Sequence, residues 1–174
     1  MSDRPKEFLR HRPSDSQAHR QALRSAREAF EAAGDSAGER LDAGGMLGAL
    51  LTADGDEAEA CRVMEPLLAL ARAHPALEPS AWLLHGLATA WQYAGRREEA
   101  DALFAEALDA CRSRGWPHLE HFVLHHRGRC LAEMGRREPS RQCFEAALAI
   151  RAALGDPREA SSRRALEMLA DWKP

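Results

Sequence analysis

Four histidines near the middle of the chain are the residues best placed to do chemistry. His118, His121, His125 and His126 follow one another between positions 118 and 126. On an α-helix, which turns by about 100° per residue, the first three fall within about 60° on one face. The i, i+4 spacing of His121 and His125 can chelate a metal ion from a single helix.

This histidine face has three interpretations: a metal site, a binding or pH-sensitive surface, or a structural or neutral role. His85, 40 positions before His125, could approach the face from a neighbouring unit of the fold. No carboxylate or thiol lies at a matching spacing, which argues against a metal ion. The sequence therefore predicts no metal ligands and no cofactor, and favours a binding or pH-sensitive surface over a metal site.

Catalytic motifs are missing from the sequence. There is no Gly-rich phosphate loop, no nucleophile elbow and no H-E-x-x-H motif. Glu133 shares the predicted helical face with His125, but eight residues separate the two, which is about 12 Å along a helix. We therefore predict that the chain is not an enzyme and has no catalytic residues.

The composition predicts the elements that carry these residues. The 174 residues include 34 alanines and 22 leucines but only five β-branched residues. Strands draw on β-branched and aromatic side chains, whereas Ala, Leu, Arg and Glu are strong helix formers. The predicted fold class is therefore all-α.

Charge and hydropathy argue against nucleic acid and membranes as partners of the protein. A net charge of −3 gives no electrostatic argument for nucleic acid as a partner. No window approaches the ~20 apolar residues that cross a membrane, and the polar first 15 residues carry no signal-peptide core. The four cysteines include no C-x-x-C pair, so we expect free thiols in a cytoplasmic protein. The 22 arginines against two lysines are typical of a GC-rich bacterial genome.

A 40-residue internal repeat organises the chain. Residues 95–98, Gly-Arg-Arg-Glu, return unchanged at residues 135–138. The same offset aligns Phe104 with Phe144, and a step in the other direction places Gly55 on the first glycine of the tetrad. Each unit is predicted to be two antiparallel helices joined by a glycine turn.

The predicted organisation is a disordered N-terminal segment followed by one repeat domain of about eight helices. The approximate bounds are 1–14 for the disordered segment, 15–172 for the domain, 41–80, 81–120 and 121–160 for the repeats, and 16–33 and 158–172 for the flanking helices. Pro66 falls inside a predicted helix, where we expect a kink or an early break.

The unit resembles a tetratricopeptide repeat of an extended, 40-residue type. The family pattern of large, small and aromatic positions is matched in the second unit by Leu84, Leu87-Ala88, Trp91, Gly95, Ala100, Phe104 and Ala107. The usual period is about 34 residues, so these longer units look like those of kinesin light chains and of bacterial signalling proteins. The resemblance implies a right-handed α-solenoid of antiparallel helix pairs with a concave groove.

The resemblance also implies which side chains line that groove. In the family they come from five recurring positions of the first helix of each pair. Together with the neighbouring histidines, the predicted ligand-binding residues are Trp82, His85, Thr89, Gln92, Tyr93, His118, His121, Phe122, His125, Arg129 and Glu133. The two aromatic residues that open these sets, Trp82 and Phe122, could instead only pack between neighbouring helices.

Three functions follow, in decreasing order of support. The first is a non-enzymatic adaptor or regulatory module that binds a protein or peptide segment in the groove, with neither nucleic acid nor membrane as a partner. The second is a scaffold for self-association, with a possible homodimer. The third is a metal-dependent or small-molecule-processing enzyme that uses the face of His118, His121 and His125.

Overall fold

A computed structural model describes residues 7–10, 12, 13 and 15–174 of the chain. Regular structure in these residues is entirely helical, which confirms the all-α class. No described helix is long and apolar enough to cross a membrane. The α-helices of the described residues are α1 Ser16–Ala32, α2 Ala37–Asp54, α3 Glu57–Met64, α4 Leu68–Ala73, α5 Glu78–Tyr93, α6 Arg97–Arg114, α7 Pro117–Glu133, α8 Arg137–Leu154 and α9 Glu159–Asp171.

The glycine turns show the 40-residue period directly in the backbone. Gly55, Gly95 and Gly135 each follow the first helix of a pair, with φ angles of 97°, 87° and 72°. Gly115 and Gly155 separate successive pairs and have φ angles of 67° and 63°. Glycine enters this left-handed region without the Cβ clash that other residues meet, so these positions end the helices.

The helix that contains Pro66 is broken, as the sequence predicts. A short 3-10 helix, Glu65–Leu67, separates α3 from α4. Proline lacks the backbone N–H that an α-helix needs at this point, and its ring clashes with the preceding turn. Counted as one broken helix, residues 57–73 reduce the described helices to the eight that the repeat predicts.

The described residues divide into two compact units. Residues 7–10 and 111–174 form what we call the C-terminal unit, and the described residues of 11–110 form the N-terminal unit. Within the N-terminal unit, α2 packs against α1, α3 and α5. Within the C-terminal unit, α8 packs against both α7 and α9.

Residues 7–10 depart from the predicted disorder of residues 1–14. Phe8 is fully buried in the hydrophobic core of the C-terminal unit, and Leu9 packs against the same core. The rest of that prediction falls largely on residues 1–6, 11 and 14, which lie outside the described residues. A short non-helical piece of chain is therefore part of the core of a helical unit.

Gly128 lets α7 approach α8 closely. A Cβ added at Gly128 would lie 2.8 Å from Cε1 of Phe144, whose ring is fully buried. A buried ring that also contacts the rings of Phe8 and His125 cannot move away without strain, since protein interiors are close-packed. This close approach explains the small residue that the repeat pattern requires at position 128.

The Gly128→Ala substitution is expected to lower the free energy of unfolding by about 1–3 kcal/mol through overpacking. This loss exceeds the gain of up to about 1 kcal/mol from better helix propensity. Gly86→Ala is the matched control, because an added Cβ there would meet Sδ of Met64 at an ordinary 3.4 Å. Urea unfolding checks the difference, and equal stability of the two variants would contradict the close approach.

Candidate peptide-binding site

Helix α7 presents three of the predicted site residues in one line. His125, Arg129 and Glu133 are spaced by four residues, which places them on one face of the helix. The helix begins with Pro117, where the missing N–H costs nothing, and it ends just before the Gly135 turn. All three side chains are buried, with exposed fractions of 8%, 4% and 7%.

Two of these side chains bind the main chain of Phe8. The Phe8 N–H donates to Oε1 of Glu133 at 2.8 Å, and Nε of Arg129 donates to the Phe8 carbonyl at 2.9 Å. Both hydrogen bonds are buried and charge-assisted, which makes them stronger than bonds between neutral groups. Arg129 and Glu133 thus hold both main-chain polar groups of one residue of a non-helical segment.

The Phe8 side chain enters what we call the Phe8 pocket, formed by Ala132, Phe144, Ala165, Leu169 and Trp172. Its ring centroid lies 5.0 Å from that of Trp172 in an edge-to-face arrangement and 5.9 Å from that of Phe144. Such aromatic pairs add about 0.5–1.5 kcal/mol each beyond the buried area. The two alanines leave the space that the ring occupies.

The wall of the pocket at the end of α9 is held by hydrogen bonds. Trp172 donates from Nε1 to the carbonyl of Ala132 at 3.0 Å. Arg137, at the start of α8, donates to the carbonyls of Ala170 and Trp172 at 2.6 and 2.8 Å. A cavity of about 250 Å³ shares Ala132, Leu169 and Trp172 with the Phe8 pocket.

The residues around Phe8 fix the bound segment further. Leu9 has a φ of 53°, the one non-glycine residue with positive φ in the described part of the chain. Arg10 donates to Oε1 of Glu7 at 2.8 Å, and only 6% of its side chain is exposed. Residues 7–10 therefore form a tight bend around the inserted ring.

Two of the predicted histidines surround a buried arginine instead of facing an open surface. Arg151 of α8 is 2% exposed, and His121 and His125 of α7 are 1% and 8% exposed. Nε of Arg151 donates to Nδ1 of His121 at 3.2 Å, and its Nη1 lies 3.3 Å from Nδ1 of His125. The same Nη1 lies 2.8 Å from the hydroxyls of Ser161 and Ser162 on α9. We call these five residues the Arg151 network.

Burial keeps the imidazoles of the Arg151 network neutral. Burial first, then the charge of Arg151, lowers the pKa of His121 to about 4 and that of His125 to about 3. Because Nδ1 of His121 accepts from Arg151, its proton sits on Nε2, which lies 3.5 Å from Oδ2 of Asp156. Burial also lowers the pKa of Arg151 to about 10. These histidines serve as acceptors for a buried cation.

The neutral histidines make stability depend on pH. A histidine in the unfolded chain titrates near pH 6.5, whereas His125 in the folded protein takes up a proton only near pH 3. Between these pH values the unfolded chain thus binds more protons than the folded protein. The contribution of the neutral histidines to the free energy of unfolding is therefore fully present above about pH 6.5 and falls on acidification. Urea unfolding from pH 7 to 5 should show losses that approach about 1.4 kcal/mol per pH unit for each of the two histidines.

A variant of His125 separates this effect from the titration of other groups. His125→Gln loses its hydrogen bonds at every pH but cannot take up a proton on unfolding. The stability gap between parent and variant should therefore shrink by about 2 kcal/mol from pH 7 to pH 5. A gap that stays constant over this range would contradict a neutral, buried His125.

The predicted residues of the N-terminal unit are partly buried in that unit. His85, Thr89 and Gln92 are 9%, 8% and 1% exposed, and the Thr89 hydroxyl donates to the His85 carbonyl at 2.9 Å. Trp82 is half-buried and donates from Nε1 to Oε1 of Glu78 at 3.1 Å. Tyr93 is also half-buried. The two large aromatic residues of this set are the ones that reach the surface of the unit.

The remaining predicted residues of the C-terminal unit differ in exposure. His118 is exposed, whereas Phe122 is half-buried. The Phe122 ring stacks on His121 at 4.5 Å, and the Arg158 guanidinium lies 4.3 Å from the ring centroid. No group of three or more His, Cys, Asp or Glu residues that could hold a metal ion is found among the described residues.

Sequence reasoning missed Phe8, Trp172 and Arg151 as members of these clusters. Phe8 and Leu9 carried a signal, because they are an apolar pair inside a charged stretch of 15 residues. Arg151 carried none, since an arginine late in a helix usually points to solvent.

Comparison with known proteins supports the repeat fold. The family model described as tetratricopeptide repeat matches residues 80–113. Residues 80–113 are therefore similar to a tetratricopeptide repeat. The resemblance that the sequence predicts is therefore confirmed, and α5 and α6 supply the two helices of this repeat.

A solved structure shows the same fold beyond the matched tetratricopeptide repeat. It is a putative kinesin light chain from Podospora anserina, described as having nearly identical TPR-like repeats. It aligns with a TM-score of 0.62 at 18% identity, over 89% of this chain and 75% of the other. This likeness supports the repeat fold alone. No curated protein sequence matches the chain significantly.

Proposed function

We propose that the protein is a non-enzymatic tetratricopeptide-type module that binds a short peptide segment of a partner protein. The observation that carries this proposal is Phe8, whose N–H and carbonyl are bound by Glu133 and Arg129 while its ring fills a pocket. The surface of α7 therefore has what peptide recognition requires: buried charged groups for the main chain and an apolar cavity for a side chain.

The environment of the histidines supports binding over catalysis. A general base needs an accessible lone pair and a pKa near the pH at which the enzyme operates. In the Arg151 network, burial lowers the pKa of His121 and of His125 far below neutrality, and both Nδ1 atoms face Arg151. Imidazoles in this position hold α7 against α8 through Arg151 and take part in no reaction.

The N-terminal unit contributes two further proposed contacts, Trp82 and Tyr93. Both are half-buried aromatic residues on α5, inside the tetratricopeptide repeat. Tryptophan and tyrosine dominate the energetics of protein interfaces, because they bury a large area with few rotatable bonds. Loss of binding on Trp82→Ala without loss of helical circular dichroism would place the partner on this unit also.

Selection from a random peptide library on the immobilised full-length protein tests the proposed function. Enriched peptides should share one aromatic position, and the Arg129→Met, Glu133→Gln double variant should enrich none of them. Arg164→Met is the matched control, because Arg164 is an exposed arginine on α9 of the same unit. No enrichment on the parent protein, or undiminished enrichment on a folded double variant, would contradict the proposed function.

A further inference from the structure

Residues 7–10 meet the C-terminal unit as a separate peptide would. Phe8 lies 121 positions before Arg129 and 125 before Glu133, and the segment forms no helix of its own. The helix that follows Arg10 in the sequence, α1, belongs to the N-terminal unit. Among the described residues, a short non-helical stretch therefore occupies the Phe8 pocket.

The main-chain contacts select a conformation and not a side chain. Every residue except proline offers the N–H that Glu133 accepts, and every residue offers the carbonyl that Arg129 binds. These contacts would hold a segment from any protein that lies along α7 in the same direction. Proline is excluded at this position because it has no backbone donor.

The Phe8 pocket supplies the selectivity. The ring of Phe8 is fully buried between Phe144 and Trp172, so a smaller side chain would leave a void there. Leu9 adds an aliphatic contact to the rim of the same core. The pair at positions 8 and 9 thus describes the preferred ligand: an aromatic residue followed by an aliphatic one.

Leu9 shows that the resident segment is not an optimal ligand. A left-handed conformation strains a non-glycine residue, and Leu9 adopts it at φ 53°. The cavity of about 250 Å³ beside the Phe8 pocket is also left open by the resident residues. A segment from another protein that avoids the strain or enters the cavity would compete well.

We propose that the Phe8 pocket is a recognition site for a short partner peptide carrying an aromatic–aliphatic pair, and that residues 7–10 are the resident occupant which this peptide displaces. This inference rests on the proposed function and names its ligand class. Because the resident segment is part of the same chain, it competes with an added peptide as an intramolecular ligand. A partner peptide must therefore bind the Phe8 pocket more strongly than residues 7–10 do in order to displace them.

A labelled peptide of residues 5–12, Pro-Lys-Glu-Phe-Leu-Arg-His-Arg, is the probe for a competition experiment on full-length protein. Fluorescence anisotropy should show at least tenfold tighter binding to the Phe8→Ala chain than to the parent, since the resident ring is removed. The same peptide with its phenylalanine replaced by alanine should bind neither chain measurably. Equal affinity of the probe for parent and variant would overturn the inference.

Hydrogen exchange on the unmodified chain gives a second readout that does not depend on the folding of a variant. The buried amide of Phe8 in the chain donates to Glu133, so it should exchange slowly in the free protein. It should exchange much faster when excess probe saturates the Phe8 pocket. Bound probe with a still-protected Phe8 amide would overturn the inference. If the probe fails on every chain while selected library peptides still depend on Arg129, this inference is wrong and the proposed function stands.

Discussion

Arg151→Ala is expected to lower the free energy of unfolding by about 3–5 kcal/mol and the midpoint of thermal unfolding by roughly 10 °C. Arg151 is 2% exposed and joins α7, α8 and α9 through His121, Ser161 and Ser162. Its removal leaves the buried His121 imidazole and Ser162 hydroxyl without this donor, and it opens a cavity the size of a long side chain. Thermal and urea unfolding followed by circular dichroism measure both quantities.

Arg141→Ala is the matched control for this loss. Arg141 lies on the same helix, is exposed, and forms surface ion pairs with Glu138 and Glu145. Exposed pairs of this kind contribute about 0–1 kcal/mol, so the control should remain close to the parent. A loss for Arg151→Ala as small as that for Arg141→Ala would show that the Arg151 network does not hold the C-terminal unit together.

Arg129→Met is expected to weaken peptide binding by about ten- to a hundredfold. Methionine keeps most of the apolar length of the side chain but removes the Nε donor that binds the Phe8 carbonyl. Hydrogen bonds to a charged group contribute about 1.5–3 kcal/mol when buried, which corresponds to this loss of affinity. Titration of the Phe8→Ala, Arg129→Met chain with the residue 5–12 peptide measures it against the Phe8→Ala parent.

An exposed arginine serves as the control for this binding measurement too. Arg164→Met in the same Phe8→Ala background should leave the affinity unchanged, because Arg164 lies on the solvent side of α9. Circular dichroism of both chains verifies that they remain folded. Equal affinities for the Arg129→Met and Arg164→Met chains would remove Arg129 from the binding site.

The repeat and its helices could be predicted from the sequence because their causes are local. Gly95 and Gly135 end helices through their own backbone freedom, and Pro66 breaks a helix through its missing donor. Composition excluded strands, and the spacing of small and aromatic residues indicated the tetratricopeptide repeat now matched at 80–113. None of these inferences depends on which residues meet across long distances.

The two clusters of the C-terminal unit could be predicted only in part. The helical face of His121 and His125 is as expected, but Arg151 on the next helix turns that face into an internal contact. Arg129 and Glu133 occupy the positions predicted for ligand contact, yet their contact with Phe8 spans more than 120 residues. A pairing of that kind depends on a pocket built by three helices, and the spacing within one helix does not encode it.

One measurement tests the central claim, main-chain recognition of an aromatic residue by Arg129 and Glu133, most directly. The residue 5–12 peptide and the same peptide N-methylated at its phenylalanine are titrated into the full-length Phe8→Ala chain. Methylation removes the N–H that Glu133 accepts, so we predict at least tenfold weaker binding, and no such difference in the Phe8→Ala, Glu133→Ala chain. Equal affinity of the two peptides for the Phe8→Ala chain would contradict the claim.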